Sequence, residues 1–250
     1  MSKALRIHSI ETFGVHDGPG IRLVVFTQGC CFRCAYCHNP DTQEMETEQT
    51  KIKTIDQILE LLEREKSYFG KDGRRGGITL SGGEPTLQAE VATELFKQAQ
   101  ERGFHTCLDT CGGIVSQQVK ELYCVTDLVM LDVKHINSAW HQKLVGKSNK
   151  NTLENAKFRE KSGQEMWLRY VLVPGWSDQK EHLHAWGQYF KHYQSVTRVE
   201  LIAYHELGKH KYQELGRSYR LADVKPPSKE AVEAAAKIFR QYLGDKVVMV

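Results

Sequence analysis

Apolar positions follow two alternating patterns along the chain, short continuous runs and stretches with helical spacing. The run at residues 21–26 predicts a buried strand, and an earlier apolar stretch at residues 5–13 precedes it across a turn rich in Gly and Pro. Apolar residues then recur at helical spacing from Ile55 to Leu62. Thr54 and Gln57 form a capping box at its start, so we expect a helix that begins there and continues toward Phe69.

The same two patterns alternate over the rest of the sequence. Strands are expected at residues 77–81, 104–109, 128–134, 166–173 and 199–204, with an edge strand at 247–250. Helices are expected at residues 87–99, 116–123, 139–144, 152–161 and 181–193, and from Ser228 through 242. Alternation of this kind predicts an α/β fold in which a parallel sheet is covered by helices.

The number of strand and helix units limits the architecture. Six units can be counted from the strand at Leu23, which is fewer than the eight of a closed barrel. The residues themselves leave two architectures open, a doubly wound open sheet and a partial, splayed barrel. In both, chemistry gathers at the carboxyl ends of the strands. Those ends carry Gly29-Cys30, residues 81–84, Asp109-Thr110, residues 132–134, Arg169 and His205-Glu206.

Composition narrows the class of protein. The chain has 250 residues, of which 40% are hydrophobic and 26% charged, and no apolar run exceeds four residues. These values exclude a membrane span and disorder, and the length suits one large domain or two small ones. The start of the sequence lacks the apolar core of a secretory signal, so we expect a cytoplasmic protein. The net charge of +3 is spread without a basic tail, so nucleic acid is not an expected partner.

Cysteine spacing is the strongest chemical signal. Four of the seven cysteines lie within residues 30–37, and Cys30, Cys34 and Cys37 form the pattern C-x3-C-x2-C, with Cys31 next to the first. Three thiolates on a [4Fe-4S] cluster leave one iron without a protein ligand, where a small molecule can chelate. The spacing also permits structural zinc, with Cys107 or Cys111 as a distant fourth ligand. Both possibilities remain open at the level of the residues.

Several motifs resemble a known family. The pattern Cys30-x3-Cys34-x-Tyr36-Cys37, together with Gly82-Gly83-Glu84, resembles the radical S-adenosylmethionine (SAM) enzymes. Residues 17–22, DGPGIR, are similar to a segment of the activating enzymes for glycyl radical proteins. Residues 106–110, 126–134, 173–178, 204–211 and 224–227 resemble the pyruvate formate-lyase activating enzymes in particular. Cys31 and Cys111 stand where that family does not usually have cysteine.

The resemblance implies a fold and an activity. The fold is a partial (β/α)6 barrel that forms a single domain over residues 1–250, with the cluster loop at residues 30–37. Cys30, Cys34 and Cys37 would bind a [4Fe-4S] cluster that reduces SAM, and a Cα hydrogen would be taken from a glycine of pyruvate formate-lyase. Flavodoxin is the implied electron donor. The alternatives are activation of a different glycyl radical enzyme and, in another class, a zinc-binding module without catalysis.

The resemblance also implies which residues contact SAM. They are Tyr36, Cys37, His38, Gly83, Glu84, Asp132, Val133, Lys134, Arg169 and His205. Gly83 would let the backbone approach the methionine part of SAM, and Glu84 would accept from its ammonium group. The residue types leave simpler roles open: a helix-entry turn for Glu84, an internal ion pair for Arg169 and a structural hydrogen bond for His205.

A cation site is a further implication of the resemblance. Two carboxylates near the SAM carboxylate would repel it unless a cation lay between them. The family suggests a monovalent cation at Asp109, Thr110, Met130 and Asp132. The two aspartates could instead cap helices or bind ligand hydroxyls.

Overall fold

The computed structural model of the chain describes residues 3–69 and 76–250, and its elements alternate as predicted. The strands of these residues are β1 (Ala4–Gly14), β2 (Arg22–Thr27), β3 (Lys51–Thr54), β4 (Gly77–Gly82), β5 (His105–Thr110), β6 (Leu128–Asp132), β7 (Met166–Leu172), β8 (Val196–Ala203) and β9 (Val247–Met249). The helices are α1 (Ile55–Arg64), α2 (Ala89–Glu101), α3 (Gln117–Val125), α4 (Ser138–Val145), α5 (Lys150–Ser162), α6 (Lys180–Phe190), α7 (Lys209–Glu214) and α8 (Lys229–Leu243).

The chain divides into two compact units. The first takes in the described residues of Met1–Cys31, Thr42–Thr110 and Ile114–Met130, and the second comprises Phe32–Asp41, Cys111–Gly113 and Leu131–Val250. The expected cysteine loop is therefore shared, because Cys30 belongs to the first unit while Cys34 and Cys37 belong to the second. The single domain expected from the sequence stays a prediction.

In the first unit the strand order is β3-β1-β2-β4-β5-β6, and β6 ends with two residues that belong to the second unit. β1 runs antiparallel to β2 and to β3, whereas β2, β4 and β5 are parallel, with Leu23 opposite Ile78 and Ile78 opposite Thr106. Parallel pairing brings the carboxyl ends of β2, β4 and β5 to the same edge, so the cysteine loop, the Gly-Gly-Glu segment and Asp109-Thr110 follow one another along it.

In the second unit the order is β6-β7-β8-β9, and β7, β8 and β9 pair in parallel. Helices α6 and α8 bury their apolar faces there. Trp186 stacks on Phe239 with ring centroids 4.6 Å apart, and Tyr170 meets Phe239 edge to face at 5.4 Å. Large aromatic side chains in such contacts dominate the energy of a core, so this cluster anchors the strands that carry Arg169 and the segment after β8.

Local signals explain most element boundaries. The Thr54 hydroxyl accepts from Gln57 N at 3.2 Å and the Gln57 side chain accepts from Thr54 N at 3.1 Å, which confirms the capping box. Helix α1 nevertheless ends at Arg64 and does not continue to Phe69, since a short 3-10 helix follows at Lys66–Tyr68. Ser228 caps α8 by accepting from Ala231 N at 3.2 Å, as predicted.

Further differences separate the observed elements from the predicted ones: α6 ends at Phe190 and not at residue 193, and β8 begins at Val196 and not at residue 199. Strand β3 and helix α7 are too short and too polar for an apolar period to reveal them. Leu87, expected in the helix that is α2, lies in a separate 3-10 helix at Pro85–Gln88. Over residues 3–69 and 76–250, no helix has the length and apolar character needed to cross a membrane.

Candidate functional site

In the first unit, the segment after β4 packs on the start of the cysteine loop. Gly83 N donates to Thr27 O at 3.1 Å and Glu84 N donates to Gly29 O at 2.8 Å. A Cβ on Gly83 would collide with the carbonyl oxygen of Gly29. Glycine is thus required at residue 83 because the backbone that precedes Cys30 lies against it. The predicted contact of Gly83 with SAM stays a prediction.

The Glu84 side chain is fully buried and has partners inside the protein. Its Oε1 accepts from Thr86 N at 3.0 Å, from Thr86 Oγ1 at 2.6 Å and from Thr110 Oγ1 at 2.7 Å. The carboxylate therefore caps the 3-10 helix after β4 and also ties it to the end of β5. The helix-entry role that the sequence left open is present, and an ammonium contact stays a prediction.

The first unit also contains three of the four residues predicted to hold a cation. Asp109 Oδ2 accepts from Ser81 Oγ at 2.7 Å, Thr110 is held by Glu84, and Met130 is fully buried. Across the described residues, no group of three or more His, Cys, Asp and Glu side chains is arranged to hold a metal ion. The monovalent cation stays a prediction.

A buried arginine organises the turn that carries the DGPGIR segment. Arg22 is fully buried and donates to the backbone oxygens of Pro19 at 2.9 Å, Ile78 at 2.6 Å and His105 at 3.1 Å. Thr79 Oγ1 in turn donates to Asp17 O at 2.7 Å. Burial lowers the pKa of Arg22, although Cys107 and Asp17 oppose that effect. The role of Arg22 was not predicted from the sequence, although a charged residue at the start of a buried strand is a signal for such a network.

In the second unit, Cys34 and Cys37 lie on one tight turn, because Cys37 N donates to Cys34 O at 3.2 Å. Both cysteines are half-buried. Gly208 packs on this turn so closely that a Cβ there would lie 2.9 Å from the Cα and the O of His38. The segment after β8 thereby covers the backbone of Cys37 and His38.

Tyr36, Asp132 and Lys134 come together in the second unit. Lys134 Nζ pairs with Asp132 Oδ2 at 2.7 Å and lies 5.5 Å from the centroid of the Tyr36 ring. Burial disfavours the charge on Lys134, but the Asp132 carboxylate opposes this effect and the pKa of Lys134 lies well above its ordinary value. Burial also raises the pKa of the Tyr36 phenol well above its usual range. Lys134 and Asp132 thus form an ion pair whose ammonium group lies against the Tyr36 ring.

His38 and His205 meet as well, with ring centroids 5.1 Å apart and an edge-to-face orientation. Both side chains are exposed. Burial of part of the ring lowers the pKa of His38, with His205 and Lys211 acting in the same direction. Two predicted SAM contacts from segments 167 residues apart are therefore neighbours at the cysteine turn.

The remaining predicted contacts, Val133 and Arg169, are linked through the backbone, since Val133 N donates to Arg169 O at 3.1 Å. The Arg169 side chain donates from Nε to Glu200 Oε2 at 2.8 Å, while Arg198 pairs with the other oxygen of Glu200 at 2.9 Å. The internal ion pair that the sequence left open for Arg169 is thus present. Its contact with SAM stays a prediction.

Comparison with known families identifies the class of protein. Residues 24–186 match the family model described as the Radical SAM superfamily, which is more than half of the chain. The chain therefore belongs to the radical SAM superfamily, which confirms the resemblance and the expected α/β fold class.

Two curated relatives narrow the comparison. The chain is 45% identical over 250 residues to the pyruvate formate-lyase 1-activating enzyme of Escherichia coli (strain K12), covering 99% of this chain and 100% of the relative. It is 43% identical over 235 residues to the pyruvate formate-lyase-activating enzyme of Staphylococcus aureus (strain USA300), covering 92% of each.

Solved structures agree on the fold. A domain of a pyruvate-formate lyase-activating enzyme from Bacteroides vulgatus ATCC 8482 matches with a TM-score of 0.59 and 21% identity, covering 70% of this chain and 99% of that domain. Streptococcus suis SuiB, solved bound to S-adenosylmethionine, matches with a TM-score of 0.68 and 16% identity, covering 97% of this chain and 51% of SuiB. At these identities the likeness concerns the fold alone.

Proposed function

We propose that this chain is an activating enzyme that cleaves SAM reductively and takes a Cα hydrogen from one glycine of pyruvate formate-lyase. The full-length identity of 45% to an enzyme with that name carries the proposal. In overall balance, SAM and one electron yield methionine and 5′-deoxyadenosine, which gains the glycine hydrogen, and the partner keeps the radical. The reaction makes the chain an oxidoreductase.

Cys30, Cys34 and Cys37 hold a [4Fe-4S] cluster in this proposal, and Cys31 does not. The spacing of the three thiols and the shared turn of Cys34 and Cys37 support this donor set. A cluster held by Cys30, Cys34 and Cys37 would supply the electron that reduces SAM and a binding position for its amino and carboxylate groups. Exclusion of water from this site by the chain would protect the cluster and SAM from side reactions.

The polar residues bind and orient SAM. Lys134, kept cationic by Asp132, suits the SAM carboxylate, and the ring of Tyr36 suits the adenine together with His38 and His205. Gly83 and Val133 contribute backbone groups, Glu84 and Arg169 contribute side chains, and a monovalent cation at Asp109, Thr110, Met130 and Asp132 offsets the carboxylates. Within the chain, Glu84 is bound by Thr110 and Arg169 is paired with Glu200, so both side chains also have a positioning role.

Partners and compartment follow from this chemistry. The glycine lies in a folded protein, so its loop must leave the core to reach SAM, and turnover should depend on the partner's conformation. Flavodoxin is the proposed electron donor. A cluster held by thiolates is expected in the cytoplasm, where thiols stay reduced.

The test combines the anaerobically reconstituted enzyme, dithionite, SAM and pyruvate formate-lyase labelled with glycine deuterated at Cα. We expect a glycyl radical signal in electron paramagnetic resonance and deuterium in 5′-deoxyadenosine. Cys34→Ser should abolish both, whereas Cys124→Ser, at an exposed cysteine on α3, should retain them. Cys31→Ala should keep the cluster and Cys30→Ala should lose it.

Three outcomes would contradict the proposal. A radical on another glycyl radical enzyme, and none on pyruvate formate-lyase, would change the substrate. An air-stable zinc protein without iron would support the zinc module. Cluster loss in Cys31→Ala with retention in Cys30→Ala would move the ligand set to Cys31, Cys34 and Cys37.

A further inference from the structure

The segment that follows β6 carries Lys134 and lies beyond the end of the strand. Strand β6 ends at Asp132, and the next three residues, Val133, Lys134 and His135, are buried. Buried carbonyl groups need hydrogen-bond donors, and beyond a strand end these donors must come from outside the sheet ladder. In the second unit, two side chains from other elements supply them, one on each side of Lys134.

Trp186 supplies the donor on the first side. It lies on α6, and its Nε1 donates to Val133 O at 3.2 Å. The indole is fully buried and stacks on Phe239, with ring centroids 4.6 Å apart. The other large side chains on the buried face of α6, Leu183 and Phe190, are apolar. An apolar side chain would also serve the packing at residue 186, so the indole N–H is a separate feature that serves the Val133 carbonyl.

Asn149 supplies the donors on the second side. Its side chain is buried, and its Nδ2 donates to His135 O at 3.2 Å and to Ile136 O at 2.5 Å. Asn149 is the N-cap of α5, where Asn ordinarily accepts from the first turn, but among the described residues its side chain makes no such bond. Asn137, the N-cap of α4, does accept from Ala139 N at 3.0 Å. The Asn149 amide therefore serves the segment after β6 and not its own helix.

The length of the lysine side chain makes such support useful. A lysine ammonium sits on a flexible four-carbon stem, so it has a defined place only when the backbone that carries the stem is fixed. Val133 N donates to Arg169 O at 3.1 Å, which adds a third hydrogen bond beside Lys134. The Lys134 side chain is only 9% exposed, and its Nζ pairs with Asp132 Oδ2 at 2.7 Å. The ammonium group thus has one place as long as the backbone keeps its own.

We propose that Trp186 and Asn149 are positioning residues that place the Lys134 ammonium group for the SAM carboxylate. The inference rests on the proposed function, in which Lys134 binds that carboxylate. Each positioning residue acts through the backbone of residues 133–136 and not through contact with SAM. Residues that orient the ligands of a metal act in the same indirect way, and their loss costs about 10- to 100-fold in affinity.

The test measures SAM binding by the reconstituted holoenzyme in two variants that each remove one donor. Trp186→Phe keeps an aromatic ring against Phe239 and loses the indole N–H. Asn149→Leu keeps the approximate volume of the side chain and loses the amide. Because the Asn149 side chain does not cap α5 among the described residues, the leucine leaves the start of that helix intact.

Two matched controls remove a buried donor to a backbone carbonyl elsewhere. Tyr170→Phe changes a ring of the same aromatic cluster as Trp186 and removes the hydroxyl that donates to Ser177 O at 2.6 Å. Thr126→Val removes the hydroxyl that donates to Leu122 O at 2.7 Å. Urea denaturation of all four variants measures any loss of stability separately from SAM binding.

We expect the SAM dissociation constant, measured by equilibrium dialysis, to rise about tenfold in Trp186→Phe and in Asn149→Leu and to stay at the wild-type value in both controls. The iron content per chain should be the same in all of them. In the protein without SAM, amide hydrogen exchange of residues 133–136 should be faster in the two variants than in wild type and the controls, because the segment opens more often.

A double-mutant cycle with Lys134→Gln tests whether the two residues act through Lys134. Without the ammonium group its placement has no value. Adding Trp186→Phe or Asn149→Leu to Lys134→Gln should therefore weaken SAM binding by less than about twofold further, whereas independent contributions would add in full.

Other results overturn the inference separately from the proposed function. Wild-type SAM affinity in either variant would sink it, as would a tenfold loss that persists in the Lys134→Gln background. Equal losses of SAM affinity in the matched controls would also overturn it, because they would assign the effect to the fold in general. A reconstituted wild type that holds its iron and does not bind SAM would refute the proposed function itself, and the inference with it.

Discussion

At the scale of single residues, several side chains expected to meet a ligand already have partners in the protein. Glu84 accepts from Thr86 and Thr110, and Arg169 is paired with Glu200. A residue held in this way keeps one geometry, which suits a site that must orient a substrate. The backbone at Gly83 is also held in one geometry, because Gly29 fills the space beside it.

Gly83→Ala tests this arrangement. A Cβ at this residue meets the Gly29 carbonyl, so we expect the cysteine loop to shift and both cluster assembly and SAM binding to weaken. Iron content per chain and SAM binding by equilibrium dialysis are the measurements. Gly103→Asn is the matched control, since residue 103 has open space and a positive φ that Asn tolerates. A Gly83→Ala protein with full iron content and weak SAM binding would show that the cysteine loop adapts.

At the scale of elements, Arg22 joins the turn after β1 to β2, β4 and β5 through backbone oxygens. A charge can be buried in a strand only when its hydrogen bonds are satisfied, and here three carbonyl groups and the Thr79 hydroxyl accept from the guanidinium. Arg22, the last residue of the DGPGIR segment, therefore holds this segment in place. The turn has its shape because of contacts with strands that follow it in the sequence.

Arg22→Lys should lower the free energy of unfolding by about 3–5 kcal/mol, the usual cost of breaking a buried charged network. A lysine ammonium cannot reach the same three oxygens in the plane that a guanidinium occupies. Urea denaturation under anaerobic conditions measures the change. Arg102→Lys, at the exposed end of α2, should leave the midpoint unchanged. Equal midpoints for the two variants would show that Arg22 is replaceable.

At the scale of the whole molecule, two buried histidines couple stability to pH. Burial lowers the pKa of His135 to about 4, with His182 acting in the same direction, and burial lowers the pKa of His141 to about 4. The Nε2 atom of each is buried without a hydrogen-bond partner among the described residues. The fold thus favours the neutral rings. In His141, whose Nδ1 donates to Lys147 O at 2.6 Å, a second proton would place an unpaired donor at the buried Nε2. In His135, whose Nδ1 accepts from Asn137 N at 3.0 Å, a second proton would go to Nδ1 and break that hydrogen bond.

The sign of the pH dependence follows from these pKa values. In the unfolded chain the pKa of a histidine is about 6.5. Between pH 6.5 and 4 the unfolded state therefore binds more protons than the folded state. The contribution of the two neutral histidines to the free energy of unfolding is complete above pH 6.5 and is lost as the pH falls toward 4. We expect a lower urea midpoint at pH 5 than at pH 7, by an amount that corresponds to a few kcal/mol.

In the double variant His135→Asn with His141→Asn, we expect the slope of the urea midpoint against pH to be smaller than in wild type. Its midpoint at pH 7 should be lower than that of wild type. His192→Asn, at an exposed histidine, should keep the slope of wild type. An unchanged slope in the double variant would assign the pH dependence to other groups.

The sequence by itself determined the α/β alternation, most element positions, the residues at the strand ends and the C-x3-C-x2-C spacing, because apolar period, caps and cysteine spacing are local. It did not reveal β3 or α7, which are too short to show a period. Only the tertiary structure decided where Arg22 is buried, which groups Glu84 accepts from and that Arg169 pairs with Glu200. Such contacts depend on which elements pack together, and no local pattern records that pairing.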